Sequence, residues 1–334
     1  MSWKLKAIHR EQWQPFLLEH SQGSLFHRWE WQEVIEAGFG VRVNRLGIFD
    51  ERDQLRGLLP LAERKLSLLR LAGSPLSGVA TPHGGPLGAG LAEVLPALEE
   101  YAAARRLDYL EIGVDSAEPQ AQADLAQAGY AAAVLKTLKL TLPATEEALW
   151  AGLEVRCRNA VRKAQKSGVE VAAAVSLEEW LEPYLELSRG VYLRQEKEPP
   201  FTRDYFCQLW RSFYDNGDLT VLLARYEGKI IAGAIFPRDR QVAYYLDGVS
   251  DRAYNKVVPN NLLQWEFLKK ALNDGIAVYD MVGANIPSIA QFKKSFGSTE
   301  YAYLYAYRNR TRRARLGRAV YAKYGAKLKR WLRR

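Results

Sequence analysis

Residues Gly275 to Gly297 read GIAVYDMVGANIPSIAQFKKSFG. The run Ile276 to Val282 has the length and apolar content of a buried strand, with Asp280 near its end. Gly283, Ala284 and Asn285 form a small-residue turn. A short helix carrying Phe292, Lys293 and Lys294 follows and stops at Phe296-Gly297. A buried strand ending in a carboxylate and a glycine turn, with a lysine one helix later, sets charge at a strand mouth. Open α/β sheets bind their ligands at such mouths.

Working outward, the same arrangement occurs twice. Val41 to Phe49 and Arg56 to Leu61, joined by a polar turn, read as a hairpin; so do Leu219 to Tyr226 and Lys229 to Phe236 around Glu227-Gly228. Each hairpin is followed by a helix and a strand: Leu91 to Arg106 then Leu107 to Ile112, and Asn261 to Asn273 then Ile276 to Val282. Each half closes on a β-rich run, Val134 to Leu142 and Tyr301 to Arg308. A long-period duplication of one α/β unit explains this better than a solenoid, whose repeats are far shorter. The reading is an α/β chain with mixed sheets and two tandem domains, 1–143 and 144–311, followed by a tail at 312–334. Between the halves, Thr145 is placed to cap a helix, and Val155 to Ser167 is a basic helix closed by Gly168. Thr202 caps a helix from Arg203 to Tyr214, and Gly73 to Gly90 is a long Gly/Pro loop.

With 334 residues, 48% hydrophobic and 25% charged, the chain has the composition of a globular protein. The two cysteines, Cys157 and Cys207, and four scattered histidines make no metal pattern, so no metal is expected. No run is long enough to span a bilayer and the N-terminus carries no secretory pattern, so the expected location is cytoplasmic. The net charge is +9, but Arg308 to Arg334 alone holds nine Arg and three Lys with no acid. A near-neutral body with a basic tail points to a polyanionic partner. Leu316, Val320, Tyr324, Leu328 and Leu332 recur every four residues in that tail, an amphipathic helix suited to anionic lipid, to tRNA, or to docking on the first domain. Arg158 and Arg162 share one face of the earlier basic helix with Lys163 beside them, a surface for tRNA or precursor phosphate.

A hairpin followed by helix and strand, twice over, suggests an acyl-CoA N-acyltransferase-like fold. Enzymes of that kind cradle a pyrophosphate on a glycine-rich turn at a helix N-terminus. Here the matching helix is entered through Asn255 to Asn261 without a glycine. The sequence instead resembles the Fem family of bacterial aminoacyltransferases. The resemblance rests on Phe26-His27-Arg28-Trp29-Glu30-Trp31, His83-Gly84-Gly85-Pro86, Arg158 to Ala164, Tyr244-Tyr245-Leu246-Asp247-Gly248, Pro259 to Trp265, and Phe292-Lys293 with Phe296-Gly297, in that order. It is closest to the short members, since no heptad insert lies between Gly168 and Leu219.

The resemblance implies transfer of an amino acid from aminoacyl-tRNA to the stem-peptide amine of a peptidoglycan precursor, lipid-linked or nucleotide-linked, to form interpeptide bridges. It implies no cofactor beyond aminoacyl-tRNA as co-substrate, and leaves peripheral contact with the inner face of the membrane open. An acyl-CoA-dependent N-acyltransferase acting on envelope polysaccharide is the alternative. Lys293 would stabilise the tetrahedral intermediate, which agrees with what a fixed cation can do for a developing oxyanion. Asp280 would orient the amine or a lysine, or else cap the Gly283 turn. Phe292, Asn261, Arg203 and Tyr205 would contact substrate, with one of Tyr244 and Tyr245, since alternation turns only one toward a cleft. The family's precursor-binding lysine after the early tryptophan is replaced by Ile35, and Arg28 would substitute for it.

Overall fold

The computed structural model describes residues 3–194 and 196–320. In chain order the first half contains β1 (Lys4–Ala7), α1 (Arg10–Glu19), α2 (Trp29–Phe39), β2 (Arg42–Phe49), β3 (Leu55–Leu66), β4 (Leu69–Ser74), α3 (Leu91–Ala104), β5 (Tyr109–Val114), α4 (Pro119–Gln127) and β6 (Ala131–Thr141). Two joining helices follow, α5 (Glu146–Gly152) and α6 (Val155–Lys166). The second half contains β7 (Glu170–Ala173), α7 (Leu177–Leu193), α8 (Arg203–Phe213), β8 (Leu219–Tyr226), β9 (Lys229–Asp239), β10 (Val242–Tyr244), β11 (Asp247–Ser250), α9 (Pro259–Asn273), β12 (Val278–Asp280), α10 (Pro287–Lys294) and β13 (Thr299–Asn309).

The duplication is explicit in this order. Apart from β11, the elements from β7 to β13 repeat those from β1 to β6 one for one. Pro15 inside α1 matches Pro183 inside α7, and β6 and β13 have the same length. In both hairpins the register slips near the turn, at Ile48/Phe49 and at Ala224/Arg225. In both copies a meander feeds a parallel pair through a crossover helix: β4 runs parallel to β5, and β10 to β12.

The structural units differ from the sequence copies at Ala37–Phe39 and in the closing strands. One unit comprises Met1–Glu36, Gly40–Val134 and Tyr303–Arg334, and the other Ala37–Phe39 and Leu135–Ala302. The closing strands are exchanged: β13, from the second copy, pairs with β5, whereas β6, from the first copy, pairs with β12. The first unit is built around Leu46, Ile48, Leu59, Leu98, Leu110 and Leu304. The second is built around Leu138, Val161, Phe236, Leu263, Trp265, Phe267 and Tyr279. Burial of these aliphatic and aromatic surfaces stabilises each unit by roughly 1.5–3 kcal/mol per side chain.

Local chemistry fixes the helix ends. Thr145, Ser176 and Thr202 each accept a backbone N–H from the first turn of the helix they cap. Gly168 closes α6 at φ +82°. Two expectations change in detail. The second-half strand is shorter than Ile276 to Val282, because Ile276 N–H caps α9 at Ala271 and the chain turns after Asp280. The long loop begins after Ser74, since Leu69–Ser74 is strand β4.

Residues 312–320 are helical. They bind the first unit through Arg313, whose Nε lies 2.6 Å from Asp108 Oδ1, through buried Ala314, and through Arg318 stacked 3.3 Å from the Tyr307 ring centre. Of the expected apolar stripe, Leu316 and Val320 are exposed. Its members Tyr324, Leu328 and Leu332 lie outside the described residues. No helix among the described residues is long and apolar enough to cross a membrane.

Candidate active site

Strand β12 ends at Asp280, and the chain then takes a tight path. Val282 lies at φ +53° and Gly283 at φ +39°, two successive residues in the left-handed region. Glycine tolerates that conformation, whereas a β-branched valine adopts it at a cost of order 1–3 kcal/mol. The turn is held by Asp280, whose carboxylate accepts the Val282 N–H at 2.8 Å and the Thr137 hydroxyl at 2.6 Å. Met281 N–H bonds Leu138 and Ala284 N–H bonds Lys136, which pins both sides of the turn to β6.

The turn directs the carbonyls of Val282 and Gly283 at one atom. Lys293 Nζ donates to both, at 3.0 Å from Gly283 O. Helix α10 delivers this lysine, starting at Pro287 and presenting Lys293 inward while Lys294 faces out to Glu300. Lys293 is 7% exposed. Its Nζ also lies 5.6 Å from the centre of the Tyr245 ring, a cation–π distance. Burial lowers the ammonium to about 8, and the Asp280 charge opposes the shift. At neutral pH the group is a cation fixed at a strand mouth. Asp280 shapes the turn that holds it, which favours the turn-capping role over the amine-orienting one.

The remaining expected residues separate into two sets. Tyr245 is the tyrosine beside Lys293; Tyr244 is buried on β10. Phe292 packs edge-on against Phe296 at 5.2 Å. Asn261 Nδ2 contacts Cys157 Sγ at 3.7 Å, so it ties α9 to α6. Arg203 is on the surface in an ion pair with Glu182. Tyr205 is fully buried among Phe201, Phe206 and Phe39 rather than facing solvent. Arg28 belongs to the first unit, where it precedes α2 without capping it through its side chain and lies 3.5 Å from Glu30. The basic face of α6 is divided. Arg158 donates to the carbonyls of Trp150, Ala151 and Leu153 and so closes α5. Arg162 and Lys163 are exposed, with Arg162 5.1 Å from the Trp150 ring centre.

Asp247 was legible only as part of the Tyr244–Gly248 motif. It opens β11 and accepts the Tyr184 hydroxyl at 2.7 Å. Burial pushes its carboxyl up to about 6, opposed by the Tyr184 hydroxyl and the Gly248 N–H. Its charge helps raise the phenols of Tyr184, Tyr192, Tyr205 and Tyr245 beyond what burial does.

Residues 155–294 match the acetyltransferase (GNAT) domain family. The chain is 31% identical over 83 residues to the lipid II:glycine glycyltransferase of Staphylococcus haemolyticus (strain JCSC1435), covering 25% of this chain and 20% of that protein. It therefore spans about a fifth of the length of this curated relative. Among solved structures it is similar to FemX, at a TM-score of 0.70 and 16% identity over 90% of this chain and 96% of that one. L-PGS from Bacillus licheniformis gives a TM-score of 0.58 at 12% identity over 92% and 94%. A tandem GNAT protein from the clavulanic acid biosynthesis pathway gives 0.55 at 13% over 93% and 98%. The fold is thus the tandem acetyltransferase fold, and the resemblance to the Fem aminoacyltransferases holds in fold and over a stretch of sequence.

Proposed function

We propose that this chain is an aminoacyltransferase that moves an amino acid from aminoacyl-tRNA to a stem-peptide amine of a peptidoglycan precursor, with Lys293 as its electrostatic catalyst. One observation carries this reading: a buried ammonium held by two backbone carbonyls at the end of β12. The local likeness to a lipid II:glycine glycyltransferase supports a lipid II-type acceptor, and the likeness to FemX supports the fold.

The chemistry matches what the residues offer. The acceptor amine attacks the ester carbonyl carbon of the aminoacyl group, forming a C–N bond. Negative charge collects on the carbonyl oxygen in the tetrahedral intermediate. When it collapses, the C–O bond to the ribose breaks, and the proton lost by the amine ends on the departing oxygen. A cation already in place for that oxyanion needs no reorganisation, and its effect is greatest in a site from which water is excluded. The ester is already activated, so positioning can supply much of the remaining rate. The two carbonyls hold the ammonium through hydrogen bonds that use only part of its three donors, leaving it able to donate to substrate. The α9 N-terminus suits an acyl-CoA donor poorly, since Val258 and Pro259 stand where a pyrophosphate cradle would need small residues and free amides.

The test is transfer of a labelled amino acid from charged tRNA to lipid II or its soluble nucleotide precursor. Label should move with the wild-type chain and be lost with Lys293→Ala. No transfer with any charged tRNA, together with saturable acetyl-CoA binding, would overturn the proposal in favour of the acyl-CoA enzyme.

A further inference from the structure

The β3–β4 hairpin ends in a bare apolar tip. Leu66 is 58% exposed and Leu68 76%, and Ser67 makes the turn between them at φ +54°. Leu66 pairs with Leu69 across the hairpin, so their side chains stand on the same face of the sheet. Tyr109 is the register partner of Leu71 and shares that face with Leu69. The helix at 312–320 lies against it: a Cβ on Gly317 would lie 3.1 Å from the Leu69 side chain, and Arg318 covers the rings of Tyr307 and Tyr109. With Ala314, Gly317 and Arg318 turned to the sheet, Leu316 and Val320, one helical turn apart, are 67% and 48% exposed. Two separate segments of the first unit thus put four aliphatic side chains into water at one end of it.

Cations ring these side chains. Arg312 and Arg315 are exposed on the helix. Lys65 and Arg70 form an exposed register pair just behind the tip, on the opposite face of the hairpin. Arg70 donates to the Arg105 carbonyl at 3.0 Å, which brings exposed Arg106 to the same end. The acids here are already engaged. Asp108 is 0% exposed and accepts from Arg313, from Thr311 and from the Arg70 N–H. Glu63 is held by Arg105. The sequence after Val320 adds Lys323, Lys327, Lys329, Arg330, Arg333 and Arg334 and no acid. Aliphatic side chains inside a ring of cations match the interface of an anionic bilayer, where the apolar tips enter the acyl boundary and the cations meet headgroup phosphates. A nucleic acid would use the cations and leave the aliphatic side chains in water.

We infer that this end of the first unit is a docking surface for anionic phospholipid. The Leu66–Leu68 tip and the Leu316/Val320 face insert, while Arg312, Arg315, Lys65 and Arg70 contact headgroups. The inference goes beyond the transfer reading and does not rest on Lys293. Its particular content is two points of insertion, joined through the Leu69–Gly317 contact. One helix alone would tether the chain; two points fix which end of the unit faces the bilayer.

Sedimentation of the full chain with unilamellar vesicles tests the surface. One set of vesicles is phosphatidylcholine, the other phosphatidylcholine mixed with phosphatidylglycerol, and bulk tRNA is titrated separately. Wild type should bind the anionic vesicles about tenfold or more tightly than the neutral ones and lose that preference at high salt. Leu66→Ser with Leu68→Ser should weaken binding about tenfold, and so should Leu316→Ser with Val320→Ser. Arg312→Gln with Arg315→Gln should weaken binding by about tenfold on anionic vesicles only. All six side chains are exposed, so the variants should melt like wild type; Leu68→Ser alone stands in for the hairpin pair if that variant does not fold. The inference is overturned if wild type binds anionic vesicles no better than neutral ones. It is overturned too if the hairpin variant binds them like wild type, which would leave the tail as the whole contact. Loss of tRNA binding in the arginine variant, with vesicle binding unchanged in both apolar variants, would make the surface an RNA contact instead. None of these results reads transfer, so the docking surface and the aminoacyltransferase proposal stand or fall separately.

Discussion

The two copies place the same elements around two strand mouths and fill them differently. In the second copy β12 ends at Asp280, and α10 starts at a proline and buries Lys293 six residues later. In the first, β5 is followed by α4, which also starts at a proline and buries Leu125 six residues later. The closing strands keep the comparison in register. Lys139 of β6 faces Asp280, and Tyr307 of β13 faces Glu111. Each mouth therefore carries a buried carboxylate. Asp280 spends its acceptors on Thr137 and the Val282 turn, whereas Glu111 accepts from Tyr109 and from Ser77 N–H in the long loop. The loop also closes on the first mouth, where Gly85 lies so near Gly113 that a Cβ would meet its carbonyl oxygen at 2.0 Å. Duplication preserved the scaffold, and one lysine with its two left-handed carbonyls separates a charged mouth from a filled one.

The comparison can be broken most severely at the lysine. Lys293→Ala should lower the single-turnover transfer rate by about 10²–10³-fold, the range for losing one oxyanion donor, with substrate affinity little changed. Putting the lysine in the other copy should fail. Leu125→Lys buries a cation in the apolar cluster of Leu98, Leu110 and Ala102. It should cost about 3 kcal/mol in a denaturant melt and create no second activity. Removing the carboxylate that shapes the turn, Asp280→Ala, should cost about 2 kcal/mol through the unsatisfied Thr137 hydroxyl and Val282 N–H. It should also slow transfer, while leaving the α6 surface unaffected. Tyr245→Leu removes the ring beside the ammonium together with its stack on Phe236, and should weaken the ammonium's setting by about 0.5–1 kcal/mol, seen as a small fall in rate.

The duplication was legible because hydrophobic period and turn residues repeat over a long interval, and these dictate elements directly. Lys293 was legible because a lysine stands one helix after a strand that ends in Asp280 and glycine. What escaped was set by tertiary contact. The exchange of β6 and β13 leaves no mark in either strand's own pattern, since both are half-buried strands wherever they pair. Arg158 and Arg162 have the same spacing as any basic face, yet one is consumed by the α5 carbonyls. Tyr205 falls beside a surface arginine in sequence, but α8 turns it inward. Val282 has a strand former's side chain in a left-handed turn, a position only the Asp280 and Lys293 contacts explain.

The central claim is that Lys293 acts as a cation, and its titration separates that role from a structural one. The acceptor amine alone would make transfer rise with pH as it loses its proton. A catalytic Lys293 ammonium, drawn down to about 8 by burial, would make it fall again above that pH. The deciding measurement is the single-turnover transfer rate of wild type and Lys293→Ala across about pH 6 to 9.5. Wild type should show a maximum with its falling limb near 8, and Lys293→Ala should be slower throughout and rise without that limb. The account is contradicted if the variant keeps both the wild-type rate and the falling limb.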